Sequence, residues 1–276
     1  MRIYIPTHRR MDLTTQPTFR ALSPEWQEQT TFVVDEADAK RLEFLQSTSS
    51  SFKRASMMVV PPEIQTIAQK RAYILRQAKE ATIVMMDDDL RFAERQYAGP
   101  DGVDGFKLVP ATSESISRSL TELDDMLRDD YVHAGFSARQ GNNRLESGWL
   151  QTRRMMYVLG YQPAIVREYC ELGRIETRED FDYTLQLFRA GFNNVVSSEI
   201  CVDQSYNARG GCSLQRTMEA SNGDAVKLAR LHPGLVKVVD KEYKTSIPRK
   251  EVIVQWKAAL ESGLRTNEEP ALYDRT

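Results

Sequence analysis

Ile83-Val84-Met85-Met86-Asp87-Asp88-Asp89-Leu90 is a short apolar run that stops abruptly at three consecutive carboxylates. A run of this length and composition reads as a buried strand of an α/β sheet. Carboxylates at the C-terminal end of such a strand sit where α/β proteins bind ligands. If the chain stays extended, Asp87 and Asp89 share one face and Asp88 points away. Two hard oxygen donors on one face suit Mg²⁺ or Mn²⁺ bridging to a diphosphate. The bland alternative is a polar turn using one acid. Three mutually repelling acids exceed what such a turn needs.

Upstream, the segments repeat the same grammar. Arg2–Ile5 is a strand followed by the loop Pro6-Thr7-His8-Arg9-Arg10, and Thr14 to Leu22 can form a helix. Thr31–Val34 is a second strand ending at Asp35-Glu36, and Ala37 to Leu45 looks helical. A serine-rich loop leads to a third strand, Met57–Val60, stopped by Pro61-Pro62. Strands alternating with helices at this spacing imply βαβ units and a mixed, mostly parallel central sheet flanked by helices. In the expected helix from Glu63 to Lys79, Ile64, Ile67, Ala68, Ala72, Leu75 and Ala78 form one apolar stripe. Arg71 falls inside that stripe and Lys70 at its flank. A guanidinium there needs an acid partner or a route to solvent, or it faces the acid-rich site and a bound diphosphate.

Downstream, Gly99 to Gly105 mark a loop, and Ile116, Leu120, Leu123 and Leu127 give a helix stripe capped by Thr112 or Ser113. Tyr131–Ser137, Met155–Tyr161 and Asn194–Val202 read as strands. Glu179-Asp180-Phe181-Asp182 opens a helix that Gly191 stops, and acids are favoured at such a start by the helix dipole alone. Asp224–Leu231 and Lys250–Leu260 look helical.

The chain has 276 residues and a net charge of −2, which suits one large α/β domain with an appendage and argues against a protein coated in basic surface. Cys170, Cys201 and Cys212 show no CxxC spacing and read as reduced thiols in a cytoplasmic protein. No stretch resembles a membrane span or a signal peptide, so no membrane partner is expected.

Four pieces now stand in order: Ile5-Pro6-Thr7-His8-Arg9, Val33-Val34-Asp35-Glu36, the strand ending in Asp87-Asp88-Asp89, and Glu179 to Leu187 with Gly191. Their order resembles the GT-A (Rossmann-like) glycosyltransferases, which use nucleotide-sugar donors. The resemblance implies a glycosyltransferase domain over residues 1–215, with a nucleotide-sugar half (1–110) and an acceptor half (111–215), and a helical extension over 216–276. It implies that Pro6, Thr7, His8 and Arg9 line the nucleotide pocket and that Asp35 accepts from the nucleobase of a UDP-sugar. It implies that Asp87 and Asp89 hold the metal, with Asp88, Lys70 and Arg71 also on the donor side. Asp180, or Glu179 beside it, would be the general base of an inverting displacement; the sequence leaves a retaining course open.

A narrower resemblance concerns the acceptor. His133 to Arg144, with Gly210-Gly211-Cys212-Ser213, looks like bacteriophage DNA base glycosyltransferases, relatives of those associated with TET/JBP-type base oxygenases. It implies acceptor contacts from His133, Ser137, Arg139, Asn142, Asn143, Arg144, Gly210 and Gly211, a hydroxymethylated pyrimidine in DNA as acceptor, and the host cytoplasm as the setting if the source is a phage. Arg139, Arg144, Arg153 and Arg154 stand against Glu146 alone, a locally basic stretch suited to phosphates, with Trp149 able to stack on a base. A lone histidine in a strand is equally a core residue. The rival readings are a glycosyltransferase for glycans or small molecules, a nucleotidyltransferase, and a nucleotide- or nucleic-acid-binding module without turnover.

Overall fold

In the computed structural model, residues 1–10, 16–98, 105–139, 146–204, 217–241 and 249–268 are described. The chain begins with β1 (Arg2–Pro6), α1 (Pro17–Ala21), α2 (Pro24–Glu28), β2 (Thr30–Val34), α3 (Glu36–Thr48) and β3 (Ser56–Val59). Then come α4 (Ile67–Gln77), β4 (Ile83–Met86), β5 (Leu90–Tyr97), β6 (Phe106–Pro110), α5 (Ser113–Asp129) and β7 (His133–Ala138). They are followed by β8 (Trp149–Gln151), β9 (Val158–Tyr161), α6 (Pro163–Tyr169), α7 (Glu179–Arg189) and β10 (Asn194–Gln204). The C-terminal part holds α8 (Met218–Leu231), β11 (Val236–Lys241), β12 (Arg249–Val254) and α9 (Trp256–Glu268).

The main sheet has ten strands in the order β3-β2-β1-β4-β9-β7-β10-β5-β6, with β8 also on β10. Strands β1 to β4, β6, β7 and β10 run one way, and β5, β8 and β9 run the other. The parallel β3-β2-β1-β4 half comes from βαβ units; β1, β2 and β4 are almost wholly buried, and β3 is the exposed edge. Two cores result. On one side Phe19, Phe32 and Phe52 cluster with ring centroids 4.9 to 5.8 Å apart, continuous with the α5 stripe of Ile116, Leu120, Leu123 and Leu127. On the other, Ile74 and Leu75 of α4 pack with Val166 of α6 and Leu187 of α7.

The sequence-expected strands and helices over residues 2–86, 113–138 and 179–202 form, with shifted ends. The helix expected from Glu63 starts at Ile67, because Thr66 and Gln69 make a capping box at its N-terminus. Two hairpins depart from the reading. Leu90–Tyr97 and Phe106–Pro110 form β5 and β6, although the first carries Arg95 at a buried position. Lys250 to Leu260 is not one helix: Arg249–Val254 pairs with Val236–Lys241, and the helix begins at Trp256. The β-branched run Val252-Ile253-Val254 favours the extended form.

The C-terminal elements have their own core, with Leu228, Val236, Ala259 and Leu260 meeting Phe181, Leu185 and Phe188 of α7. At Gly263 a Cβ would collide with the Phe188 carbonyl, so a glycine lets α9 lie close on α7. Cys170 and Cys201 are buried free thiols. No helix of the described residues is long and apolar enough to cross a membrane.

Candidate active site

The C-terminal ends of β1, β4 and β10 and the N-terminal ends of α4 and α7 converge on a cavity of about 550 Å³. Its walls include Pro6, Thr7, His8, Lys70, Arg71, Asp87, Asp88, Asp89, Glu179 and Asp180. The structure therefore brings together both acid clusters and the basic residues of α4, which stand far apart in the chain.

The strand ends at Met86, and Asp87-Asp88-Asp89 form a turn, so simple alternation does not apply to them. Arg10 takes two of the acids: its Nη1 donates to Asp88 Oδ1 at 2.8 Å and to Asp89 Oδ2 at 2.9 Å. Thr7 Oγ1 donates to Asp88 Oδ2 at 2.5 Å. Asp87 is held from elsewhere, by Arg71 Nη2 at 2.5 Å and Gln204 Nε2 at 2.9 Å. Burial raises the pKa of Asp88 to about 6 against the pull of Arg10. Burial and the charge of Asp87 raise that of Asp89. Asp89 Oδ1 is buried and accepts no hydrogen bond from the described residues. An orphaned carboxylate oxygen beside two further acids is a donor set short of positive charge, and it fits a hard divalent cation.

Lys70 and Arg71 are both buried. Lys70 Nζ donates to the Thr7 carbonyl at 2.5 Å. Arg71 bridges the two acid clusters, donating to Asp87 and, through Nη1, to Glu179 Oε1. Burial opposes its charge, but those two carboxylates outweigh burial and raise its pKa. Arg71 thus has the acid partners its place in the stripe required, and it also lines the cavity.

The second acid cluster separates into three roles of position. Glu179 is buried against Arg71. Asp182 turns away, taking Arg174 Nε and Nη2 and lying 2.7 Å from His232 Nε2. Asp180 lines the cavity, and burial together with Glu179 raises its pKa while Arg71 and Arg154 oppose the rise. The turn into α7 is sharp: Arg178 at its N-cap has φ 68°.

Asp35 stands behind His8, whose Nδ1 is 3.0 Å from Asp35 Oδ2. Asp35 Oδ1 caps α3 by accepting from Asp38 N at 2.9 Å. Burial alone would raise its pKa, yet that N–H, Lys70 and His8 hold it below the ordinary value. His8, Asp35 and Asp38 bring ligating atoms within 4.8 Å of one another, but Asp38 Oδ2 also accepts from Arg9 N at 2.6 Å, so this cluster is a folded loop–helix junction. The Arg9 side chain is exposed and does not line the cavity.

The acceptor-side expectations need correction in part. His133 is 0% exposed, stacked near Tyr161 and edge-on to Phe188, with Nε2 3.1 Å from the Phe192 carbonyl; it is a core histidine. Ser137 is buried and accepts from Arg95 Nη1 at 2.6 Å, so its hydroxyl is spent inside the sheet. Arg139 is exposed at the end of β7 and is not part of the cavity wall. Asn142, Asn143, Arg144, Gly210 and Gly211 lie outside the described residues. Residues the sequence reading missed line the cavity instead: Arg10, Tyr157, Arg178, Gln204 and Arg249. All but Arg10, which lies in the loop after β1, sit at or beside the end of an element, and the tandem Arg9-Arg10 was the one visible hint.

The family model of TET-associated glycosyltransferases matches residues 1–211. The chain belongs to the TET-associated glycosyltransferase family. Its mixed, mostly parallel sheet flanked by helices is the α/β architecture expected from the sequence. No curated protein matches this family member by sequence. Among solved structures it is similar to S. aureus TarS 1–349 in complex with UDP-GlcNAc, at 11% identity and TM-score 0.47, covering 83% of this chain and 67% of that one. It is similar to GalNAc-T7 with UDP, GalNAc and Mn²⁺ at 10% identity and TM-score 0.47, covering 83% and 47%. Glucosyl-3-phosphoglycerate synthase from Mycobacterium tuberculosis, with Mn²⁺, UDP and phosphoglyceric acid, is similar at 9% identity and TM-score 0.49, covering 91% and 86%. The TET-associated chain thus spans about half the length of the GalNAc-T7 chain.

Proposed function

We propose that this protein transfers a sugar from a nucleotide-sugar, with a UDP-sugar as the first candidate, to a hydroxymethylated pyrimidine base in DNA, with Mn²⁺ or Mg²⁺ as cofactor. The observation that carries the transfer chemistry is the sharing of one cavity by the Asp87-Asp88-Asp89 turn and Asp180. Asp87 and Asp89 would hold the cation, which supplies charge neutralisation at the leaving diphosphate. Pro6, Thr7 and His8 bound the nucleotide end, and Asp35 positions His8 there. Arg71 keeps Asp87 oriented and adds positive charge beside the phosphates. Asp180 accepts the proton of the attacking hydroxyl, and its raised pKa suits a base working near neutrality.

The DNA acceptor is supported by the family's association with TET-type oxygenases, which its name records, and by the basic stretch around Arg154. An ordinary pyrimidine offers no exocyclic alcohol, whereas a hydroxymethylated one does. Within a duplex that base must leave the stack to reach the cavity. The test is mass spectrometry of hydroxymethylated DNA incubated with the protein, Mn²⁺ and a panel of nucleotide-sugars. A gain of one sugar mass is expected. Transfer to a glycan, with none to any modified DNA, overturns the acceptor.

A further inference from the structure

Beyond the aspartate turn, the cavity wall also includes Arg154, the first turn of α7 and the elements α8 and β12. The last two lie beyond residue 211, outside the part of the chain that the family model matches. Arginines gather there. Arg154 lays its guanidinium over the Phe181 ring, 4.2 Å from the centroid. Phe181 is in turn buttressed edge-on by Trp256 of α9 at 5.4 Å. The Arg154 guanidinium donates no hydrogen bond and makes no ion pair among the described residues, although it borders Asp180 and the cavity. Its five donors are thus held in a fixed plane by stacking and remain available.

Arg178 adds a second charge with no carboxylate in contact among the described residues. Its Nη1 donates to the Ser221 carbonyl at 2.8 Å and its Nη2 to the Lys250 carbonyl at 3.1 Å. Carbonyls fix the group without neutralising it. The acid nearest to this pair on the C-terminal side is Glu251, which is engaged by Arg249 Nε at 2.7 Å. Two guanidinium groups are therefore positioned at the cavity wall with no direct carboxylate contact among the described residues, Asp180 and Glu251 acting on them only through space, and a rigid arginine fork matches the oxygens of a phosphate.

We propose that Arg154, supported by Arg178, forms a phosphate subsite that grips a backbone phosphodiester of the acceptor strand beside Asp180. The assignment to the acceptor rests on the DNA reading above. It follows from the geometry: the donor diphosphate has its own cationic end at Arg10, Lys70 and Arg71, which pairs with the aspartates. A phosphodiester held at Arg154 would place a neighbouring extruded base near Asp180. The C-terminal segment would then set which acceptor enters.

The experiment uses the full chain and three single variants, Arg154→Gln, Arg154→Lys and, as control, Arg118→Gln on α5, exposed and outside the cavity wall. Binding of a fluorescent single-stranded oligonucleotide carrying one hydroxymethylcytosine is followed by anisotropy across a salt series, and UDP binding with Mn²⁺ by calorimetry. Arg154→Gln should weaken oligonucleotide binding about 10-fold and reduce the salt slope by about 1, with UDP affinity within about 2-fold of wild type. Arg154→Lys should recover part of the loss, since charge remains and the fork does not, and Arg118→Gln should resemble wild type. If Arg154→Gln weakens UDP as much as the oligonucleotide, the phosphate held is the donor's and the proposal falls. If neither changes, or the wild type does not bind the oligonucleotide, Arg154 merely packs on Phe181 and the proposal falls. Modified DNA that gains no sugar while Arg154→Gln still releases the oligonucleotide would overturn the transfer reading and sustain the subsite. Sugar transfer unaffected by Arg154→Gln would do the reverse.

Discussion

Arg71 and Glu179 stand 108 positions apart and form a buried ion pair in the floor of the cavity. The same guanidinium reaches Asp87, so one α4 side chain joins the β4 turn to the start of α7. A buried charge that loses its partner costs far more than an exposed one. Arg71→Ala should therefore lower stability by about 3–5 kcal/mol in urea unfolding. Arg71→Lys should recover only part of this, because an ammonium cannot span both carboxylates in a fixed plane. A loss below about 1 kcal/mol for Arg71→Ala would mean that the bridge is not formed in solution.

The three aspartates of the turn should separate in their effects. Asp89 has an orphaned oxygen, so Asp89→Asn should abolish the rise in melting temperature that Mn²⁺ with UDP gives the wild type, because that rise measures ligand bound to the folded state. Asp88 is committed to Thr7 and Arg10, so Asp88→Asn should cost about 1–3 kcal/mol of stability and leave most of the Mn²⁺ response. An Asp89→Asn protein that still responds fully to Mn²⁺ removes Asp89 from the metal site.

Asp180 is expected to act on rate. Asp180→Asn should reduce kcat by about 10²- to 10⁴-fold while the Kd for UDP with Mn²⁺ stays within about 2-fold, since proton transfer is lost and the donor end is untouched. The pH dependence follows from the sign of the shift. A base works deprotonated, and the Asp180 pKa is raised to about 6, so transfer should be level above that value and fall as pH drops through it. A rate that stays level down to pH values near the ordinary carboxylate pKa, about 4, would assign the base elsewhere.

Much of this was legible in the sequence, for a physical reason. Strands β1, β2 and β4 are apolar runs that end in charge, so both the element and its functional tip show in one glance at Pro6 to His8, Asp35 or Asp87 to Asp89. The helix α4 displayed Arg71 and Lys70 as misfits in an apolar stripe, and misfits of that kind mark sites. What stayed hidden depends on partners distant in the chain. Strand β5 breaks the strand pattern because Arg95 is buried, its two Nη groups held by Ser137, Ser198 and Ala138 from other segments. Arg10 and Gln204 are unremarkable singly and acquire meaning only at the cavity wall, whereas Arg154 already showed in the sequence as part of a basic stretch. His133 misled in the other direction: a polar residue in a strand looked available, but the sheet covers it completely.

Asp182 is adjacent in sequence to the proposed base by two positions and should behave oppositely. Its carboxylate is 0% exposed, takes the Arg174 fork and lies against the buried His232, which ties α7 to the end of α8. Burial would raise its pKa, but His232 and Arg174 overcome this and lower it. A carboxylate whose folded pKa is depressed contributes stability that is present above its unfolded pKa of about 3.9 and is lost as pH falls through the folded value. Asp182→Asn should remove that contribution and strand Arg174 and His232, costing about 3–5 kcal/mol at neutral pH. It should also flatten the acid limb of the stability–pH curve below about pH 4. At a temperature where the variant is still folded, kcat should remain within about 3-fold of wild type, because nothing at the cavity wall has changed charge. Urea unfolding from pH 3 to 7 and single-temperature transfer rates test both halves. A variant of normal stability with kcat reduced as far as in Asp180→Asn would place Asp182 in the reaction and overturn its structural role.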